Sequence, residues 1–202
     1  VSDLLFFEYE EFKGALVSII SNKGGKIDDF EISDYKIHRK HSINFEKEVV
    51  LLSKLANRYV AAALTDSLVI LQMEKYSKDL SESFSQESYS FTEVLSRPGH
   101  SQILQMQSHN NQLLVVDIIK GLHLYWFNAE DKKLILISRS AINTPGSQLG
   151  CIIDDNRFLL ISNNVLQTLN KNLTGESEFE KMILQQKSKI NMTEEATCVV
   201  KD

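Results

Sequence analysis

Short apolar runs broken by tight polar turns recur along this chain, and that rhythm restricts the fold more than any other feature. The clearest case is Asn111-Gln-Leu-Leu-Val-Val-Asp-Ile-Ile-Lys-Gly-Leu-His-Leu-Tyr-Trp-Phe-Asn128, followed by Leu134-Ile-Leu-Ile-Ser-Arg139. It reads as three β-strands in succession. The same beat occurs near Asn57 and again near Asn156. A meander this short, repeated, signals a propeller or a solenoid. In a propeller the working part is a face that grips another protein, not a buried catalytic centre.

A pass along the chain predicts the units. Gly14–Ser21 is a short apolar run, closed by the turn signal Asn22-Lys-Gly-Gly25. Lys26–Ile32 alternates well enough for a half-buried strand, and His41–Phe45 makes a third. Val49–Leu52, Tyr59–Leu64 and Leu68–Met73 follow as strand, turn, strand, turn, strand. Their turns hold Asn, Asp and Ser, whose side chains bond nearby backbone groups. Lys75–Ser90 is rich in Ser, Glu and Lys, and is expected to be an exposed loop between blades, with a short surface helix as the alternative. Within it, Ser81–Ser90 has hydroxyls beside acids, which suits a solvated loop first and phosphorylation second. The pattern resumes with Ile103–Met106, with Leu113–Asp117 as an inner strand buried on both faces, and with Leu122–Phe127 and Leu134–Ile137. The last unit runs through Leu149–Ile153, Arg157–Ile161 and Val165–Leu169. Gly175–Gln186 looks helical, with Phe179, Met182 and Ile183 at helical spacing, and Ala196–Val200 reads as a final strand.

The prediction is therefore an all-β chain: about four WD40-like blades of one β-propeller over residues 1–202, spaced roughly 45–50 residues apart. Each blade buries its faces only against neighbours. The start at Val1 and the number of blades lead us to expect part of a ring of about seven blades in a longer protein, or a ring whose missing blades a partner supplies, with a closed four-bladed ring as a further alternative.

Composition narrows the classes of function. With 43% hydrophobic residues the chain can build a core, and a formal net charge of −5 with mixed signs lacks the basic stripe of a nucleic-acid binder. No apolar run reaches the length of a membrane span, and no signal peptide is visible. Cys151 and Cys198 lie far apart in apolar strand contexts. They read as buried free thiols of a reducing compartment, with a disulfide as the alternative.

Catalytic constellations are scarce. His38 and His41 stand close together without a third ligand, so no metal site is expected there. His123 lies within a strand and is expected to face solvent or a blade contact. Asp154-Asp155 is explained by turn formation. Gly24-Gly25 does not precede a helix, and no Gly-x-Ser-x-Gly elbow exists. Tyr125, Trp126 and Phe127 read as blade packing, with a partner anchor as the alternative. No catalytic residue, cofactor or metal is predicted.

Several stretches, in order, resemble one family. Lys13-Gly-Ala-Leu-Val-Ser-Ile-Ile with Gly25-Lys-Ile is similar to its opening strand-turn-strand. Lys47-Glu-Val-Val with Leu55-Ala-Asn-Arg-Tyr-Val-Ala-Ala-Ala is similar to the next blade. Leu113–Leu124 matches an apolar strand, Gly-Asp, a short turn and a second apolar strand, although Val116 replaces the Gly. Cys151–Leu160 resembles an Asp-rich turn, and Glu178–Val200 resembles the lead into a further blade; Ser162-Asn-Asn164 departs from a more regular turn. The family holds the large subunit of the UV-damaged-DNA-binding complex, the largest subunit of the cleavage and polyadenylation specificity factor, and a large propeller subunit of a splicing factor. The matching part is its third, C-terminal propeller.

The resemblance implies a non-enzymatic scaffold. In the cullin-ligase adaptor branch, this propeller and the first one clamp a helical element of a substrate receptor. The matching positions here are Val49, Leu51, Leu52, Leu104, Gly146, Ser147, Glu194 and Ala196. Gly146 or Ser147, and Glu194, fall where the adaptor has large aromatics, so a different partner is expected. Val49, Leu51 and Leu52 equally suit simple blade packing. The expectation is a diverged, fungal-style adaptor paralogue of a nuclear cullin-RING ubiquitin ligase, acting in DNA repair, replication or heterochromatin control. Its partners would be cullin-ligase subunits and a receptor helix, with nucleic acid engaged only indirectly and no membrane. The alternative on the same fold is a scaffold of pre-mRNA 3′-end processing or splicing. A propeller enzyme or a trafficking-coat propeller is a third reading.

Overall fold

The computed structural model describes residues 1–9, 12–21, 23–33, 36–81, 84–139, 148–162, 165–171 and 185–191. Every regular element among them is a β-strand. The chain divides into two units, Val1–Arg97 and Pro98–Asp202.

The first unit holds two four-stranded antiparallel meanders. One is β1 (Asp3–Tyr9), β2 (Phe12–Ser21), β3 (Gly24–Ser33) and β4 (Lys36–Phe45), in that order. The other is β5 (Val49–Leu55), β6 (Tyr59–Leu64), β7 (Ser67–Ser81) and β8 (Phe84–Pro98). The two sheets converge where β5 lies against β1, β2 and β3. Alternation decides which side chains meet there: Phe7, Leu16 and Ile27 from one sheet interlock with Val49, Leu52, Val60, Ala62, Val69 and Leu71 from the other. The rings of Phe7 and Phe91 meet edge to face at 5.5 Å. Burying a side chain such as Phe7 contributes about 2–3 kcal/mol.

The second unit repeats this plan. β9 (Ile103–His109), β10 (Gln112–Asp117), β11 (Gly121–Asn128) and β12 (Lys133–Arg139) form one meander. β13 (Gln148–Ile152), β14 (Arg157–Ser162), β15 (Val165–Asn170) and β16 (Gln185–Asn191) form the other. β13 lies against β9 and β10. Leu114, Leu122 and Leu124 pack on Ile152, Phe158, Leu160 and Leu169. Gly150 permits this approach: a Cβ there would sit 3.0 Å from Val116 Cγ2 and 3.1 Å from Leu114 Cδ2.

Most predicted strands are present. β10 is buried at every position, as its continuous apolar character requires. Gly24 takes φ 118° in the predicted turn, a conformation side chains resist. Asp154 Oδ1 accepts the amides of Asn156 and Arg157, both at 2.9 Å, so the acidic pair builds a turn as read.

The differences are instructive. The loop expected over residues 75–90 is strand instead: β7 continues to Ser81 and β8 begins at Phe84. β6 pairs with β7 over Leu68–Gln72, and the other neighbour of β7 in the sheet is β8. Few aliphatics disguised this hairpin, which is anchored by Phe91 packing into the core. β1 was not predicted at all, although Leu5 and Phe7 follow strand alternation. β4 begins at Lys36, ahead of the predicted His41. Gln185 and Gln186 are strand where the helical segment was to end; the rest of that segment and Ala196–Val200 lie outside the described residues. His123 is buried against His100 and Tyr125, the blade contact of its two expected settings, and Trp126 is 38% exposed while Tyr125 and Phe127 pack inside. Cys151 is a buried free thiol; Cys198 lies outside the described residues.

Candidate partner-binding surface

Within each unit the first strands of the two blades converge, β5 against β1 and β13 against β9, and exposed side chains on these strands are candidate anchors for a partner. Both β5 and β9 open with a β-bulge. In β5, Leu64 pairs with Val49 and Ala63 with Leu51, which leaves Val50 as the extra residue. In β9, Val116 pairs with Gln105 and Asp117 with Ile103, which leaves Leu104 extra. A bulge re-aims a side chain out of the regular pleat. Leu104 is 37% exposed, whereas its neighbour Ile103 is buried.

The other resemblance-derived positions fall differently. Val49 and Leu52 are buried in the core of the first unit. Leu51 is half-buried. Gly146, Ser147, Glu194 and Ala196 lie outside the described residues. The structure thus places Val49 and Leu52 as packing residues and Leu104 on the surface. The two bulges depend on the partner strand's register, which no local pattern carries.

Consecutive first strands are stitched by side chains in each unit. Leu52 N–H donates to Asp3 Oδ2 at 2.6 Å, and Ser2 Oγ donates to the Val49 carbonyl at 2.7 Å. In the second unit, amides do this work: Gly150 N–H donates to Gln105 Oε1 at 2.7 Å and Ile152 N–H to Gln107 Oε1 at 2.8 Å. Edge groups that would otherwise lack a ladder partner are satisfied in this way.

A buried polar hub forms where the segment before β9 meets the end of β10. Asp117 ends β10 and collects donors from two directions. Ser101 N–H donates at 2.8 Å, Ile119 and Lys120 N–H each at 3.0 Å, and the Ser101 hydroxyl donates as well. His100 Nδ1 lies 3.2 Å from the same carboxylate, and its Nε2 lies 3.2 Å from the Tyr125 hydroxyl. Burial alone would raise the Asp117 carboxyl, but the Ser101, Lys120 and Ile119 donors together hold it well below the ordinary carboxylate range. His123 packs against His100 and Tyr125. Burial first, and the adjacent His100 second, push His123 down to about 4. Among the described residues its buried Nδ1 has no hydrogen-bond partner.

This hub is a cross-link between two segments of the blade. Ser101 and His100 both point at the carboxylate, so it ties the segment before β9 to the turn after β10. A signal for it existed: Gly99-His100 ahead of an apolar strand, with Asp ending the next one, is a repeat signature of propeller blades. At the predicted His38–His41 position, His41 Nδ1 lies 3.5 Å from Asp29 Oδ2. Among the described residues no group of three potential ligands could hold a metal ion.

An open depression of about 610 Å³ lies at the turn end of the first unit, walled by Ile20, Gly24, Lys47, Thr65 and Asp66 among others. Lys47 Nζ and Asp66 Oδ2 are paired across it at 2.7 Å.

Residues 15–201 match the model of the family described as the CPSF A subunit region. The chain belongs to that family. A CPSF A subunit region is a propeller scaffold, in agreement with the four-stranded antiparallel meanders described above. The expected all-β propeller fold therefore stands. No curated protein matches this CPSF A region chain.

Proposed function

We propose that this protein is a non-enzymatic propeller scaffold of a nuclear cullin-RING ubiquitin ligase, which presents substrate receptors in DNA repair, replication or heterochromatin control. Leu104 carries the reading. It is a large apolar side chain, 37% exposed at a bulge on the first strand of its blade. That arrangement supports capture of the apolar face of a receptor helix, since a preformed anchor position limits the ordering cost of binding. Membership in a scaffold family supports it as well.

The test is affinity purification of the wild-type protein and of Leu104→Asp, with mass spectrometry of what is retained. Cullin and receptor peptides are expected with wild type. A loss of about tenfold in receptor recovery is expected for the variant, the effect of some 1.4 kcal/mol at a single anchor. Cleavage-and-polyadenylation or splicing subunits in place of a cullin would move the protein to RNA processing. Undiminished receptor recovery with a folded variant would remove Leu104 from the interface.

A further inference from the structure

The sheet β1–β4 has one covered face and one open face, and the open one has the relief of a blade contact. Register sorts the side chains. Leu4 pairs with Val17, Phe6 with Ala15, Ala15 in turn with Phe30, and Ile32 with Ile37. Directly paired residues share a face, as do residues two apart on one strand, so all of these lie on one side. Phe7, Leu16 and Ile27 lie on the other side, in the core with β5–β8. The first side is uncovered: Phe6 is 68% exposed, Ile37 70%, Leu4 51% and Ile32 38%. Four strands of this length make a face on the order of 500 Å². An exposed apolar surface of that scale marks an interaction site.

Three observations say what kind of element covers it. Ala15 is a hollow between Phe6 and Phe30, which flank it in one cross-strand row. A side chain from a facing sheet fills such a hollow, as Phe7, Leu16 and Ile27 interlock with Val49 and Leu52 on the covered side. The middle of the face is also satisfied from within. Asp28 is held by Lys26 at 3.0 Å and by Arg39 at 2.9 Å, so a covering sheet strands no carboxylate there. The third observation is the edge. Among the described residues only β2 pairs with β1. In both units the first strand of the later sheet gives amides to side-chain acceptors on the first strand of the earlier one: Leu52 to Asp3, Gly150 to Gln105 and Ile152 to Gln107. β1 plays the earlier part toward β5, and its free edge is open for the later part. A second copy laid face to face would bring Lys26 and Arg39 onto their own counterparts, with one Asp28 to each pair of cations, and like charges oppose that arrangement.

We propose that the open face of β1–β4 seats a further four-stranded antiparallel blade, whose sequence lies outside residues 1–202. Its alternate apolar side chains enter between Phe6 and Phe30 and cover Leu4 and Ile37. Its first strand carries a carboxylate or carboxamide that accepts amides from the free edge of β1. The seat follows from sheet packing alone, so it stands whether or not the ligase reading does.

The test places a photoreactive phenylalanine analogue at Phe6 and, separately, at Ile37, in the whole protein within its native assembly. Peptides captured on irradiation are sequenced by mass spectrometry. The two positions stand on opposite edge strands of the sheet, β1 and β4, and both are exposed, so neither replacement disturbs the core. Each probe is expected to join one peptide from outside residues 1–202, the two peptides being the inner and outer strands of a single antiparallel meander. The same analogue at Ile119, 59% exposed in the turn after β10, is expected to join neither. Capture confined to residues 1–202 overturns the proposal, and so does capture of a helical segment or of two unrelated peptides. Capture at Phe6 and Ile37 no stronger than at Ile119 shows the face to be open to water and overturns it as well.

Discussion

The β5–β8 blade and the β9–β12 blade each place an aspartate at the passage from second to third strand, and the two carboxylates do opposite things. Asp66 lies in the turn after β6 with its side chain 45% exposed, and pairs with Lys47, itself 52% exposed. Lys47 beside it holds its carboxyl below the ordinary value. Asp117, at the end of β10, has a fully buried side chain and gathers Ser101, Ile119, Lys120 and His100 around it. The difference comes from what the rest of the chain delivers to the turn. The segment Gly99-His100-Ser101 folds over Asp117, whereas Asp66 meets a lysine in water. Similar places in a repeat thus carry the same residue type with very different weight.

The largest effect follows from removing the buried member. Asp117→Ala leaves Ser101, His100 and two turn amides without their acceptor, and should cost about 3–5 kcal/mol, read as a lowered midpoint in urea or thermal unfolding. A loss below about 1 kcal/mol would mean that water replaces the carboxylate and that the contrast with Asp66 is false.

A smaller effect comes from pH. His123 titrates at about 4 in the folded protein against 6.5 as its ordinary value. As pH falls, the unfolded chain takes the proton first. The associated stability is present above about pH 6.5 and drains as pH falls toward 4, amounting to about 3 kcal/mol for the full shift. Titrating carboxylates add their own acid dependence, so the informative quantity is the difference between wild type and His123→Leu. The variant should lose less stability between pH 7 and about pH 4.5 than wild type. Parallel profiles would show that the ring is protonated without penalty. The smallest effect belongs to the exposed pair. Lys47→Ala should leave the unfolding midpoint unchanged within error at low and high salt, and a clear salt-dependent loss would show that the ion pair is structural after all.

The blade's central strands were legible because their signals are local. Leu113–Asp117 and Tyr59–Leu64 are continuous apolar runs between turn residues, and both are buried at every position. β8 was hidden because its membership in a sheet rests on β7 beside it and on Phe91 reaching Phe7, a contact across two sheets. β1 was hidden for a related reason. Phe6 is 68% exposed and Phe7 is 1% exposed, and the residue type does not say which of two adjacent phenylalanines will be covered. At the candidate surface, family likeness singled out Val49, Leu52 and Leu104 alike. Packing then separated them, with Val49 and Leu52 in the core and Leu104 on a bulge.

Turn chemistry and period-two alternation act between residues close along the chain, which is why the order of amino acids already specifies a succession of antiparallel strands. Register, bulges and burial depend on groups that meet only after distant segments pack. The free energy of a buried carboxylate or an outward leucine lies in those encounters, so the roles of Asp117 and Leu104 came into being with the assembled blades.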